Sequence, residues 1–274
     1  MSKLTKLIMT VDNPEGEELT YQKSSLLQGV LMERVSEAYA EKMHLDGLRP
    51  YSQNLQVIGD KMVWEVNALS EEAYDEIISP LLSDEFQSFK LKHNDVEYGI
   101  ASKELSSITT EQLIEQYYLG DCARKINVSF QTPTAFRQNH KYVFYPDIRL
   151  IYNSLMSRFD AFEELQSMYS EEVLDQLTEF TQVTGYNLRS RMYSLEGVKI
   201  PSYTGSISLI IHGPSQLVNL VQLLLRYGEF SGVGIKTAIG MGKLRIRELT
   251  PYKKGLHDME KGNDPEPDNN GEEG

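Results

Sequence analysis

The chain has 274 residues, with 27 Lys and Arg against 40 Asp and Glu and a formal net charge of −13, which argues against a partner held by bulk positive charge. Its single cysteine, Cys122, excludes an internal disulfide and a thiolate metal cluster. No apolar run approaches the roughly 20 residues that cross a bilayer, and the N-terminal stretch lacks a signal-peptide pattern, so a soluble, cytoplasmic protein without a membrane partner is expected.

The length predicts two domains of ordinary size. In the first half, Leu4 to Val11 has the short apolar character of a strand, and Ser24 to Met43 carries Leu26, Leu27, Val30, Leu31, Val35 and Ala38 at helical spacing. NLQVIGDKMVWEV reads as a hairpin turning at Gly59-Asp60, Ser70 opens a helix with Glu71 and Glu72 in its first turn, and Phe86 to Leu91 supplies a fourth strand. The resulting order, βαββαβ, is ferredoxin-like.

The second half repeats that order. INVSFQT is a strand, Pro146 to Phe159 a helix, and a helical insertion follows with Glu163, Glu164, Glu171, Glu172, Asp175 and Glu179 expected to face solvent. YNLRSRMYSL and SISLIIHG are two further strands, Pro214 to Tyr227 is a helix, and GKLRIREL closes the sheet. The predicted fold is therefore α+β, two tandem ferredoxin-like domains over 1–125 and 126–250, with a disordered acidic tail over 251–274. From His257 onward that tail holds seven acids and one lysine, leaving −7 for the rest of the chain. Positive charge gathers in the second half at Arg124, Lys125, Arg137, Lys141, Arg149, Arg158, Arg189 and Arg191, which is the pattern of a basic face on an acidic protein.

Between the last predicted helix and strand lies GEFSGVGIKTAIGMGKLRI. Gly232, Gly234, Gly240 and Gly242 bracket Lys236, and Lys243, Arg245 and Arg247 follow. Glycine tolerates positive φ and keeps no side chain between its amide and a partner, so this loop reads either as an anion cradle or as a turn flanked by bulges. Neither the P-loop spacing nor the dinucleotide fingerprint is present.

The G-x-G-x-x-x-x-x-G-x-G spacing resembles the signature of the CRISPR-repeat-processing endoribonucleases of the RAMP superfamily. Pro133-Thr134-Ala135-Phe136, Tyr142, Phe144, Pro146, Ser154 and Leu155 are similar to the opening of that family's second domain. His44, Pro50 and Tyr51 are similar to its catalytic segment, a histidine just after the first helix followed by Pro and an aromatic.

The resemblance covers about residues 1 to 250 and implies metal-independent cleavage of CRISPR precursor transcripts within repeats. In that reaction a ribose 2′-hydroxyl attacks the adjacent phosphorus, leaving a 2′,3′-cyclic phosphate and a 5′-hydroxyl. Such chemistry requires a base, an acid and cations around the phosphorane, and a histidine titrating near neutrality suits the first two roles. His44 is the catalytic candidate, as base or as acid, with Arg49 and then Lys42 as phosphorane-stabilising cations. Read without the resemblance, His44 is a helix-end histidine on the C-terminal dipole. The sequence departs from members that add a tyrosine upstream and a lysine downstream, since Gly29 occupies the first position and no lysine follows His44 closely.

The implied RNA contacts are Gly232, Gly234, Lys236, Gly240 and Gly242, then Arg189 and Arg191, which share a strand face with a base-stacking Tyr193. Arg137, Lys141 and Arg149 are further phosphate contacts. His93, His140, His212 and His257 form no zinc-ligand spacing, so neither metal nor cofactor is expected. The expected partner is CRISPR repeat RNA, with a CRISPR effector complex and a homodimer as further associations. A catalytically inactive RAMP subunit that binds guide RNA within such a complex is the alternative.

Overall fold

The computed structural model describes residues 2–12, 20–45, 47–58, 61–91, 96–163, 167–195 and 197–249. The Gly59-Asp60 turn, His93, Glu164, His257 and the acidic tail lie outside them.

In the first half, β1 (Lys3–Val11) is followed by helices α1 (Ser24–Met32) and α2 (Glu37–His44), then by the hairpin of β2 (Tyr51–Ile58) and β3 (Lys61–Ala68). Next come a helical segment α3 (71–82), the short strand β4 (Ser88–Lys90), the long strand β5 (Glu97–Thr109) and a helical segment α4 (110–118). The sheet order β2-β3-β1-β5-β4, antiparallel at every pairing, is ferredoxin-like with β4 added at the edge.

The second half runs β6 (Lys125–Thr134), a small hairpin of β7 (Phe136–Gln138) and β8 (Lys141–Val143), α5 (Ile148–Phe162), α6 (Glu171–Glu179), β9 (Thr181–Leu195), β10 (Val198–Ile211), α7 (Ser215–Ser231) and β11 (Leu244–Glu248). Its four-stranded sheet, β11-β6-β10-β9, repeats the ferredoxin-like order.

Two sequence expectations are corrected in the first half. The helix expected over Ser24 to Met43 is two helices, broken at Ser36, whose extended backbone (φ −62°, ψ 151°) caps α2 by accepting from the Tyr39 amide. The Glu76 carboxylate fixes the break, accepting from both the amide and the hydroxyl of Ser36 at 2.8 Å. The apolar stripe changes phase there: Leu27, Val30 and Leu31 are buried in α1, and Tyr39 and Met43 in α2.

The fourth ferredoxin strand is β5, which pairs with β1 along its length, and the run at Phe86 to Leu91 contributes only the three-residue edge strand β4. Strand β5 has no clean apolar alternation because Tyr98 is its one buried side chain.

The two halves interlock. Leu4, Leu69 and Leu113 from the first half are buried in the same apolar cluster as Ile126, Phe130, Leu155 and Leu224 from the second, while Ala238 joins the first-half core. Across this junction the Ser52 hydroxyl donates to Phe230 O at 2.5 Å, and the Lys6 ammonium lies 4.6 Å from the Phe230 ring centroid. The most demanding contact is a buried ion pair. Lys243, 5 % exposed, donates to the carboxylate of Glu65, 4 % exposed, and to Glu229 O at 3.0 Å. Asn67 donates to the same Glu65 oxygen at 3.0 Å, and Lys6 stands 3.8 Å from it.

Candidate functional site

Strand β2 organises the site. It begins at Tyr51, directly after the turn that follows His44, and its next two residues hold the glycine loop: Ser52 through Phe230 O, and Gln53 by donating to Ala238 O at 3.0 Å and to Ser24 O at 3.2 Å. Trp64 in turn donates to the Gln53 carbonyl oxygen at 2.8 Å, so the amide cannot flip without losing that bond. A strand of the first half therefore fixes both the segment after His44 and the loop that precedes β11.

Those two segments line one cavity of about 470 Å³, bordered by Gly47, Leu48 and Arg49 on one side and by Gly234, Lys236 and Thr237 on the other. A second cavity on the other side of the turn is lined by Lys42, Arg49, Pro50, Glu72 and Glu163. Arg49 belongs to both, and its Nη1 donates to Gly47 O at 3.1 Å.

His44 is the last residue of α2 and is solvent-exposed. It precedes Gly47 by three residues, a span of at most about 11 Å. Its Nδ1 lies 2.6 Å from Ala40 O. A carbonyl oxygen only accepts, so Nδ1 carries the proton and Nε2 is left as the nitrogen that can take or give one. The other expected cation on this helix is committed elsewhere: the Lys42 ammonium lies 2.5 Å from the Glu72 carboxylate.

In the glycine loop the structure corrects the reading of the glycines as a free amide cradle. All four have positive φ, from 68° at Gly232 to 105° at Gly240. Their amides are used internally: Gly232 N donates to Gly228 O, Gly234 N to Ser154 Oγ, Gly240 N to Thr237 O and Gly242 N to Pro133 O. Side chains are excluded by close backbone approach. A Cβ on Gly234 would stand 2.3 Å from Ala135 O, one on Gly242 2.0 Å from Val233 O, and one on Gly240 2.2 Å from Ser24 Cβ. The glycines thus build the loop and seat it against α1, while Lys236, exposed in the left-handed conformation (φ 59°), is the residue that the loop presents.

Tyr193 is also corrected. It is 0 % exposed, paired with Ile200 across the β9–β10 hairpin, and its hydroxyl donates to Ile239 O at 2.5 Å, so no ring face is open to a base. Its contact instead ties the hairpin to the glycine loop, and the neighbouring Leu195 reaches the cavity wall. Arg189 and Arg191 are exposed on β9, and Arg137 and Lys141 are exposed on the β7–β8 hairpin; none of the four lines the cavity. Arg149 is engaged by the carboxylates of Glu171 and Asp175.

Two charged residues are corrected: Glu163, expected to face solvent, and Arg158, counted with the basic face, are both buried. Glu163 is buried, its carboxylate accepting from Thr110 Oγ1 at 2.7 Å, and burial pushes its pKa up to about 7 against that hydrogen bond. Arg158 is 3 % exposed and lines the cavity beneath the glycine loop, its Nη2 donating to Gly234 O at 3.0 Å. A signal for Arg158 was present, since it falls on the apolar stripe of α5 with Ile151, Leu155 and Phe159. Among the described residues, no group of three or more His, Cys, Asp or Glu side chains converges as a metal site would require, and no helix is long and apolar enough to cross a membrane.

Comparison with known proteins shows the family. A family model described as CRISPR-associated endoribonuclease Cas6 matches residues 128–244, from β6 to the start of β11. A protein of that name from Mycobacterium tuberculosis is 30% identical over 255 residues, 93% of this chain and 81% of the relative. One from Streptococcus thermophilus is 28% identical over 249 residues, 90% of this chain and 99% of the relative. Among solved structures, a Cas6 product complex superposes with a TM-score of 0.73 at 23% identity, covering 89% of this chain and 99% of that one. Thermus thermophilus Cas6 gives 0.69 at 21% identity, covering 90% and 99%. These matches span both halves of the fold, and the chain belongs to the Cas6 family of CRISPR-associated endoribonucleases.

Proposed function

We propose that this protein cuts CRISPR precursor transcripts within their repeats to release guide RNAs, by attack of a ribose 2′-hydroxyl on the adjacent phosphorus without a metal ion. The observation that carries the reading is the shared cavity: the turn after His44 and the glycine loop, from opposite halves of the chain, face one space through Arg49 and Lys236. The names of the relatives, CRISPR-associated endoribonucleases, supply the substrate class.

In this mechanism His44, which lines neither cavity but ends the helix that leads into the turn, acts through Nε2 because Nδ1 is held by Ala40 O. Neutral, that nitrogen accepts the 2′ proton as the O2′–P bond forms; protonated, it donates to the departing 5′ oxygen as the P–O5′ bond breaks. Arg49 and Lys236 stand where negative charge gathers on the non-bridging oxygens of the phosphorane. Lys42, neutralised by Glu72, is a lesser contributor.

The test is the chemistry of the products. Incubated with the repeat RNA in excess EDTA, the protein is expected to give a 2′,3′-cyclic phosphate on the upstream fragment and a 5′-hydroxyl on the downstream one. A 3′-hydroxyl with a 5′-phosphate, or activity that vanishes with the chelator, would overturn the mechanism. Tight RNA binding with no cleavage under any condition would point to the non-catalytic guide-binding subunit instead.

A further inference from the structure

The second sheet has one face that its own helices do not cover. Ile126, Val128 and Phe130 of β6 are buried with α5 and α7, so the alternate positions of the four strands point the other way. The register sets those positions in rows: Arg247, Asn127 and Ser208 in one, Arg245, Ser129, Ser206 and Asn187 in the next, with Arg189 and Arg191 continuing along β9. All four arginines are exposed, and none of them has an ion-pair partner among the described residues. The one acid in these strands, Glu248, lies on the helix side, where its carboxylate stands 3.4 Å from Arg226 of α7.

Four like charges on an otherwise neutral sheet face repel one another, and a polyanion relieves that repulsion. The chain carries one of its own. Strand β11, which bears Arg245 and Arg247, leads to Leu249, whose amide donates to Lys125 O at 2.9 Å. From His257 onward the sequence holds seven acids and one lysine, the charge pattern of an interaction tail. The first of those acids, Asp258, follows Leu249 by nine residues, a span of up to about 30 Å, against about 14 Å across four strands. Charge and reach both match the tail to this face.

We propose that in the RNA-free protein the acidic segment 258–273 occupies the arginine face of the second sheet and is displaced by RNA. Exposed ion pairs are individually weak, so a ligand that also engages the rest of the protein replaces the segment, whereas a polyanion held by charge alone competes poorly. The contact stands independently of the nuclease reading; its consequence for RNA rests on that reading.

The test compares the full-length wild type with a full-length variant in which the seven acids from Asp258 to Glu273 become Asn or Gln, a change that leaves every described residue in place. Backbone 15N–1H spectra without RNA read the contact. Expected are shifts confined to the amides around Asn127, Arg189, Arg245 and Arg247, independent of protein concentration, with added salt moving the wild-type resonances toward the variant's positions. Identical spectra, or shifts elsewhere on the surface, would overturn the proposal. Shifts that grow with concentration would overturn the intrachain contact in favour of one between copies. Affinity for repeat RNA, measured in a His44→Ala background, reads the consequence. The neutralised tail is expected to bind about 3–30-fold more tightly at low ionic strength, an advantage that fades as salt rises and that shrinks when Arg245→Gln and Arg247→Gln are also present. An equal advantage with and without those arginines would reduce the tail to a contribution to net charge, and no advantage would remove its role as a competitor. A face contact in a protein that cuts no RNA would keep the contact and remove the nuclease reading; cleavage with identical spectra would do the reverse.

Discussion

Replacing His44 by alanine is expected to lower the single-turnover cleavage rate by about 10²–10⁴-fold, the usual contribution of a positioned acid–base group, while equilibrium binding of the uncleaved RNA stays close to that of the wild type. The division follows from where the residue sits. His44 is exposed at the end of α2 and touches no part of the glycine loop, so its loss leaves the cavity wall intact. The His44→Gln variant sharpens the test, since it can keep a hydrogen bond to Ala40 O but supplies no group that titrates near neutrality. Equal loss in both variants assigns the effect to proton transfer; recovery in His44→Gln would reassign His44 to a structural role at the helix end. A rate unchanged in His44→Ala would remove it from the mechanism.

The second large effect is on stability. Glu65→Gln keeps the acceptor that Asn67 uses but leaves the Lys243 ammonium buried without its counter-charge, and removing one member of a buried ion pair costs about 3–5 kcal/mol. Replacing both, Glu65→Leu with Lys243→Met, is expected to recover most of that loss, because neither charge then has to be desolvated. Lys6 is left beside the Phe230 ring in the double variant. Urea unfolding midpoints of the single and double variants measure the difference.

The pH dependence carries a sign for each partner. Burial alone would raise the Glu65 pKa, but the Lys243 and Lys6 ammonium groups and the Asn67 hydrogen bond outweigh it and hold the carboxyl below its ordinary 4.5. That contribution is present above pH 4.5 and is lost as the pH falls through the folded-state value. Lys243 gives the same sign in a higher window and for a different reason. Burial pulls it from 10.5 down to about 8, partly offset by Glu65, so between those values the unfolded chain holds a proton that the folded chain has released and stability rises with pH. In Glu65→Gln the offset is gone, so the deficit relative to wild type should shrink on going from pH 7 to pH 9. A deficit that stays constant or grows would mean that the pair is not what joins the two halves.

Much of the fold was legible because its apolar runs mark the buried elements. The alternation in β1 and β6, the apolar runs of β2 and β3 and the stripe of α7 mark those elements and give the repeated βαββαβ order. Strand β5 was not legible, since its outer positions such as Leu105 are exposed and its pairing with β1 is a backbone property that no side-chain pattern reports. The break at Ser36 depends on Glu76, forty residues away, and so has no local signal beyond the serine itself.

The site divides along the same line. Lys236 was a candidate from motif spacing and Arg49 as the cation nearest His44, and the structure brings both to one cavity, while His44 lines neither cavity. The reason for the glycines was not legible, because Ala135 and Ser24, which exclude side chains at Gly234 and Gly240, come from distant parts of the chain. Tyr193 shares a strand face with Arg189 and Arg191, but the hairpin leaves the sheet's open face before reaching it and packs its ring under Ile239 and Met241. Alternation shows which residues share a face, not where along the strand that face becomes covered.

The central claim is that the two halves build a single site, and a double-mutant cycle tests it most directly. Single-turnover cleavage would be measured for Arg49→Ala, Lys236→Ala and the pair. Two cations acting on one phosphorane across one cavity are expected to couple by about 0.5–3 kcal/mol, so that the double variant departs from the product of the single effects. Additive losses, within about 0.3–0.5 kcal/mol, would mean that the turn after His44 and the glycine loop act independently, and would contradict the account.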